Sequence, residues 1–176
     1  MSTYHHGDLR SALLCASGKV LEKEGISGLS LRDVARRAGV SHNAPYRHFP
    51  DRDALLAALA AEGFERLGEA MGAHTGREMG EAYVNFALEH PQRFRLMFGG
   101  VLNFGKYPEL RTAADSAYQL LVLAFKDLPR PELAAAGAWA LVHGLSHLLL
   151  DGHFAQADPK AFAREVLAAV RFAQRA

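Results

Sequence analysis

S-L-R-D-V-A-R-R-A-G-V-S-H-N-A-P-Y-R-H-F-P-D-R-D-A-L-L, residues Ser30 to Leu56, carries the pattern on which the fold assignment turns. Ser30 followed three residues later by Asp33 resembles a capping box, so a helix is expected to start there. Leu31, Val34, Ala35 and Ala38 share one face at helical spacing, and Gly39 ends the run. Ser41 is expected to cap a second short helix, His42 to Phe49, with Pro45 in or just beyond its first turn, where a missing N–H costs least. Pro50 breaks that helix, and Asp51 caps a longer one carrying Leu55, Leu56, Leu59 and Phe64. Two short helices joined at Gly39-Val40 cross steeply, as in a helix-turn-helix. Ala35 allows close approach, and Gly39 supplies the dihedral that other residues resist. His42, Asn43, Arg47 and His48 make the second helix too polar for a core. The competing reading is a solvated corner in some other all-α protein.

On either side of this stretch the helical period recurs, and no window sustains strand alternation. A first helix is expected from about Asp8 to Glu24, with Leu9, Leu13, Ala16 and Val20 as its apolar stripe and Gly25 as its stop. Downstream, helices are expected at about Glu78–Glu89, from Pro91 through Phe98, at Pro108–Lys126, at Leu133–Leu150, and from Pro159 to about Gln174. The fold class is therefore all-α. A small three-helix unit fills residues 1–52, a connecting helix runs from about 51 to 71, and a larger helical domain spans 53–176.

The 176 residues hold 20 Lys+Arg against 19 Asp+Glu, so no global basic signature marks a nucleic-acid binder. The charge is nevertheless uneven. Residues 1–50 carry seven basic against four acidic side chains, and the remainder thirteen against fifteen. A hydrophobic share of 49% excludes global disorder. The single Cys15 excludes an internal disulfide and any multi-Cys zinc site, and a half-buried thiol is expected there. No apolar run follows a basic start, so no signal peptide is expected. Leu133 to Leu150 lacks Asp, Glu, Lys and Arg, yet it is alanine-rich and carries His143, Ser146, His147 and two glycines. A spanning helix needs about 20 strongly apolar residues. This one is expected to be a buried helix of a soluble, cytoplasmic protein with no membrane partner.

The quoted stretch resembles the DNA-binding domain of TetR-family repressors, through its hydroxyl cap, Ala-Gly-Val-Ser turn, Tyr-x-His-Phe and following basic residue before Leu-Leu. Trp139…His143-Gly144, Ala87-Leu88-Glu89-His90-Pro91 and Arg95-Leu96-Met97-Phe98 are similar to the family's WHG-type C-terminal domain. Tyr4-His5-His6-Gly7-Asp8-Leu9-Arg10 resembles starts seen in the same subclass. The resemblance implies a fold with an N-terminal helix-turn-helix DNA-binding domain and a C-terminal ligand-binding and dimerisation domain. It assigns Ser30 and Tyr46 to phosphate, His48 to backbone support, and Arg52 to a phosphate-binding position. Arg32 matches a base-reading position, and its guanidinium suits guanine. His42 and Asn43 open the recognition helix, where Asn suits adenine, and Ala44 and Pro45 are candidates for a thymine methyl. Leu31 stands where many relatives have a hydroxyl, and Arg47 where many have an aromatic. Helix N-termini at Ser30, Ser41 and Asp51 direct N–H groups toward an anion. Arg36 and Arg37 are read as a solvated face, and Tyr4-His5-His6 as a frayed terminus rather than a minor-groove arm.

The resemblance further implies a homodimer through the last two helices, about 133–150 and 159–174. Ala161, Ala163, Ala168, Ala169 and Ala173 would permit close approach, with Leu167 and Val170 in the seam. Such a dimer would bind a pseudo-palindromic duplex operator and respond to a small-molecule effector. The effector pocket is expected to use Phe86, Phe94, Met97, Phe98, Tyr118 and Trp139 as its wall, and His143 and His147 as polar anchors. The i, i+4 spacing of those two histidines would also suit a metal, but no third ligand is evident, and no metal or cofactor is expected. The alternatives are an enzyme using His143 and His147 as acid or base, and a helical ligand-binding protein without DNA binding. Against the enzyme, no nucleophile with its own base and no phosphate-cradling loop is visible.

Overall fold

The computed structural model describes the backbone of residues 6–170 and the side chains of residues 9–170. Tyr4 and His5 of the Tyr4-His5-His6 arm, Ala173 and the expected helical stretch from 171 to Gln174 lie outside the residues so described. The elements are α1 (His6–Glu24), α2 (Leu31–Arg37), α3 (Arg52–Gly72), α4 (Gly76–Glu89), α5 (Pro91–Phe98), α6 (Pro108–Ala124), α7 (Pro131–Leu150) and α8 (Pro159–Ala169). Short 3-10 turns stand at Ile26–Gly28, Ala44–Arg47 and Phe104–Lys106, and the described residues contain no strand.

The chain forms two compact units, residues 1–63 with 92–112, and residues 64–91 with 113–176. The first is therefore larger than the expected 1–52. It takes in α5 and the segment after it, because α5 is tied to α1 and α3 by polar contacts. The Glu22 carboxylate accepts from the backbone N–H groups of Gln92 and Arg93, each at 3.2 Å. Arg93, 4% exposed, donates to the Leu59 carbonyl at 3.0 Å and meets Glu62 at 3.4 Å. A Cβ on Gly63 would lie 2.6 Å from Met97 Sδ, so a larger residue there would have to push the Met97 side chain aside. The unit's core joins Leu13, Val20 and Leu21 of α1 to Val34, Phe49, Leu55, Leu56 and Phe94. Cys15, expected to be half-buried, is exposed on α1.

In the second unit α4 packs on α7 and α8. Met79, Tyr83, Val84, Phe86 and Ala87 form its buried face. The charge-free α7 departs from the expected buried helix. Only 28% of its apolar window is buried, on the face carrying Ala135, Ala138, Val142, Leu145 and Leu149. It is long and apolar enough to cross a membrane by length and composition alone, with a mean hydropathy of 1.5. Its packing against α4 gives that apolar face a partner within the unit. On α8, Ala163 and Leu167 face inward, at 2% and 3% exposure, while Ala168, Ala169 and Val170 are exposed. Leu167, expected in the seam, therefore belongs to the unit's own core. Leu167 lies 3.6 Å from where a Cβ on Gly80 would stand, which fixes it against α4.

Candidate functional site

Helix α2 starts as its sequence dictates. Ser30 is extended (φ −136°, ψ 144°), and its Oγ accepts from the Asp33 N–H at 3.1 Å. The hydroxyl proton of Ser30 is left to donate, which suits a phosphate oxygen. Asp33 does not complete the box. Its carboxylate accepts from Arg36 and Arg37, and these two bonds hold it below the usual carboxylate range. Arg37 also reaches Glu24 at 2.7 Å, and both carboxylates raise its affinity for its proton. Two of the unit's cations are thus already neutralised, whereas Arg32 and Arg47 are exposed with no ion pair among the described residues.

Helix α2 ends in a Schellman motif. Gly39 takes φ +70°, its N–H bonds to the Arg36 carbonyl at 3.2 Å, and the Val40 N–H reaches the Ala35 carbonyl at 3.0 Å. The next segment departs from the expected helix over 42–49. It is a four-residue 3-10 turn, Ala44–Arg47, preceded by Asn43, whose side chain makes no cap bond. Ser41 contributes its backbone carbonyl, accepting from the Ala44 N–H at 3.0 Å, rather than a side-chain cap. Pro45 explains the difference, since it has no N–H to bond one turn back. Its ring is buried with Phe49, and between these anchors Tyr46 (45% exposed) and Arg47 face solvent. Ser41, His42 and Asn43 are also exposed, Ala44 and His48 half-buried. His42, Asn43, Tyr46 and Arg47 are thus open to a partner, and the buried ring of Pro45 is not. Asp51 caps α3 as expected, accepting from the Ala54 N–H at 2.7 Å.

Arg52 has structural partners. Its Nε donates to the Leu29 carbonyl at 2.8 Å, and a terminal nitrogen donates to the Ile26 carbonyl. The guanidinium braces the turn before α2, so its fork is committed to the backbone rather than open for phosphate alone. Arg52→Lys is expected to cost about 1–2 kcal/mol, because one ammonium cannot reproduce the fork. A urea melt checks this, and an unchanged midpoint would return Arg52 to a phosphate-only role.

The expected effector residues divide between the units. Phe94, Met97 and Phe98 belong to the first, where Phe94 and Phe98 stack at 4.9 Å. Phe86, Tyr118, Trp139, His143 and His147 belong to the second. There the ring of Phe86 meets His90 at 5.2 Å, and Tyr118 meets Trp139 at 5.7 Å. His143 and His147 lie edge to face at 4.7 Å. Among the described residues no group of three or more His, Cys, Asp or Glu is disposed to hold a metal.

Tyr83, which helical spacing alone marks only as apolar, organises this cluster. Trp139 Nε1 donates to its oxygen at 3.1 Å, and the oxygen lies 2.9 Å from His143 Nδ1. Burial pushes the Tyr83 phenol well above its ordinary range, so its proton stays on. Burial and then the charge of His147 lower the His143 pKa, which favours the neutral ring. The phenol and the neutral His143 ring thus share one hydrogen bond, whose direction follows the tautomer of the ring. Tyr83 also lines a cavity of about 160 Å³ with Met79, Leu121, Phe125, Val142 and Leu167. None of the expected wall residues lines it. The signal available in the sequence is a tyrosine on an otherwise apolar face, one turn after Gly80, because a buried phenol must find a partner.

Residues 13–59 match the family of bacterial regulatory proteins called tetR, and residues 77–170 match the tetracyclin repressor-like C-terminal domain. A solved structure of a protein of unknown function from Rhodococcus sp. RHA1 is 34% identical, with 96% of each chain covered and a TM-score of 0.81. Two curated relatives are similar over shorter spans. The uncharacterized HTH-type transcriptional regulator YobS of Bacillus subtilis is 27% identical over 93 residues, 48% of this chain and 49% of its own length. The HTH-type transcriptional regulator EthR of Mycolicibacterium smegmatis is 30% identical over 98 residues, 50% of this chain and 45% of its own length. The chain thus spans about half the length of these curated relatives. With a capped α2, a glycine turn and an exposed polar turn in one unit, and matches over both parts, this chain belongs to the TetR family of bacterial regulatory proteins.

Proposed function

We propose that this chain is a transcriptional regulator, a repressor that binds a pseudo-palindromic duplex operator as a dimer and is released by a small-molecule effector. The observation that carries the reading is the surface of the first unit. Ser30 and Arg32 on α2, and His42, Asn43, Tyr46 and Arg47 around the 3-10 turn, are all exposed. Buried Pro45 and Phe49 hold the turn from behind. Hydroxyls and a phenol suit phosphates, which set register, while Asn43 and Arg32 present the donor patterns that read base edges.

Two-fold pairing supplies the second half-site, roughly 34–36 Å away along the duplex. Leu133, Gly137, Ala140, Gly144 and Leu148 follow helical spacing along α7 on the side away from its buried residues. Nothing lies within 4 Å of where a Cβ on Gly137 or Gly144 would be, so this stripe is open to a partner helix. The cavity beside Tyr83, lined mostly by apolar side chains together with Arg77, suits a small and largely apolar effector. Helix α3, Arg52–Gly72, begins in the first unit and ends in the second, and is the proposed relay. A differential affinity of about 1–3 kcal/mol between two states changes operator occupancy severalfold or more.

Selection from random duplexes followed by salt titration tests the reading. Enriched sequences are expected to show two symmetric half-sites, and affinity to fall steeply with salt. Arg47→Ala should weaken all sequences alike and flatten the salt slope by about 1 per half-site. Asn43→Ala should relax preference at one base pair per half-site, at about 1–3 kcal/mol. Selection without enrichment or symmetry would sink the proposal.

A further inference from the structure

A cavity of about 410 Å³ lies wholly within the first unit, between the N-terminal part of α3 and the start of α6. Three alanines create it. Ala54, Ala57 and Ala58 line it from successive turns of α3, where one-carbon side chains leave a hollow. Phe49 and Leu110 close the apolar part.

The polar lining joins Arg10, His48 and Tyr107 to the carboxylate of Glu109. His48 Nε2 and the Tyr107 hydroxyl are both buried, and neither has a hydrogen-bond partner in the protein. The Lys106 ammonium, 5.3 Å from the ring centroid, is held more firmly protonated by the Tyr107 phenol beside it, yet the hydroxyl makes no hydrogen bond of ordinary geometry. Almost all buried polar side-chain atoms in proteins are paired, so two orphans on residues that line one cavity mark a place where polar partners are received. The third polar group is Arg10, whose guanidinium lies over the Phe49 ring at 5.7 Å. Its partner Glu109 is 3.3 Å away and 81% exposed, a solvated pair that a better-placed anion can displace. A guanidinium and a phenol O–H donate, an imidazole Nε2 donates in the tautomer that carries its proton there, and apolar carbon surrounds them.

We propose that this cavity is a second small-molecule site, specific for a compact amphipathic carboxylate. The carboxylate would bond to Arg10, His48 and Tyr107, and an aromatic or branched body would lie against Phe49 and the three alanines. His48 and Phe49 directly follow the exposed Tyr46-Arg47 pair, so an occupant touches the end of the turn that the proposed function assigns to DNA. This places a second ligand input in the DNA-facing unit, apart from the cavity beside Tyr83. Binding itself does not depend on the DNA reading and is tested without DNA.

Calorimetric titration of the full chain with 2-naphthoate, 2-naphthalenemethanol as the neutral control, and histidine-detected NMR form the test. The carboxylate is expected to bind at least about tenfold more tightly than the alcohol, the scale of one charge-assisted bond. Arg10→Met should weaken it about tenfold and Tyr107→Phe about threefold to tenfold. Tyr107→Phe removes only an unpartnered hydroxyl, so it should fold as the parent does. Ala58→Phe fills the hollow and should abolish binding. The ring signals of His48 should shift and those of His143 should not. Equal binding of acid and alcohol, no binding, retained binding in Tyr107→Phe and Ala58→Phe, or shifts confined to His143 would each overturn the proposal.

Discussion

Leu148→Glu is expected to convert a dimer into a monomer and to lower operator affinity by roughly 10²–10⁴-fold, the scale set by losing the second of two linked half-sites. Leu148 is 41% exposed and Leu133 55%, at the two ends of the α7 stripe whose middle is Gly137, Ala140 and Gly144. Small residues between two leucines would let a second helix come close, with the leucines sealing the ends. A carboxylate at Leu148 would have to be desolvated on pairing, and it would face its own symmetry mate or lie beside it. The same substitution leaves the isolated chain nearly intact, because exposed positions tolerate change within about 0.5 kcal/mol. Sedimentation velocity and duplex titration check the result together. An unchanged dimer would move the interface elsewhere. Leu167 is not the position for this experiment. At 3% exposure against Gly80 and α4, a glutamate there would unfold its own unit.

The second large effect concerns stability. Arg93→Ala is expected to cost about 2–4 kcal/mol, somewhat below a fully buried pair because Glu62 is 23% exposed. Its guanidinium serves the Leu59 carbonyl and Glu62, and a Cβ on Gly18 would stand 2.6 Å from one of its terminal nitrogens. Removing it deletes charge-assisted bonds and leaves a hole beside α1 that no neighbour can fill without moving the helix. For a chain of this size the melting temperature should fall by about 5–15 °C. Arg93→Lys should recover only part of the loss, since an ammonium lacks the planar fork. A melt within about 2 °C of the parent would mean that Arg93 does not hold α5 in the first unit.

Much of the architecture is legible in short stretches. Ser30, Gly39, Asp51 and Pro159 mark helix ends through bonds to residues within a few positions, so their reading survives any tertiary context. The TetR resemblance rests on the same local signals. The turn after Gly39 escapes such a reading, because the polar run His42–His48 suits a helix surface, while the missing N–H of Pro45 shortens the helix to a 3-10 turn. Arg52 escapes it too. Its sequence position suggests phosphate and says nothing about the Leu29 and Ile26 carbonyls that it reaches from more than twenty residues away.

The same division holds for the two cavities. Local pattern is enough to specify an all-α chain, the helix-turn-helix, the caps, and an uneven charge within a total of +1. Only folding assigns Phe94 and Met97 to the first unit's core, joins Tyr83 to Trp139 and His143, and turns Leu167 inward and Leu148 out. The hollow that three alanines on α3 leave beside His48 and Tyr107 likewise exists only in the folded chain. Caps and periods act between near neighbours along the chain, whereas burial is shared among side chains that only folding brings together. Composition can mark a residue as apolar or polar, but which surfaces cover it is settled by packing.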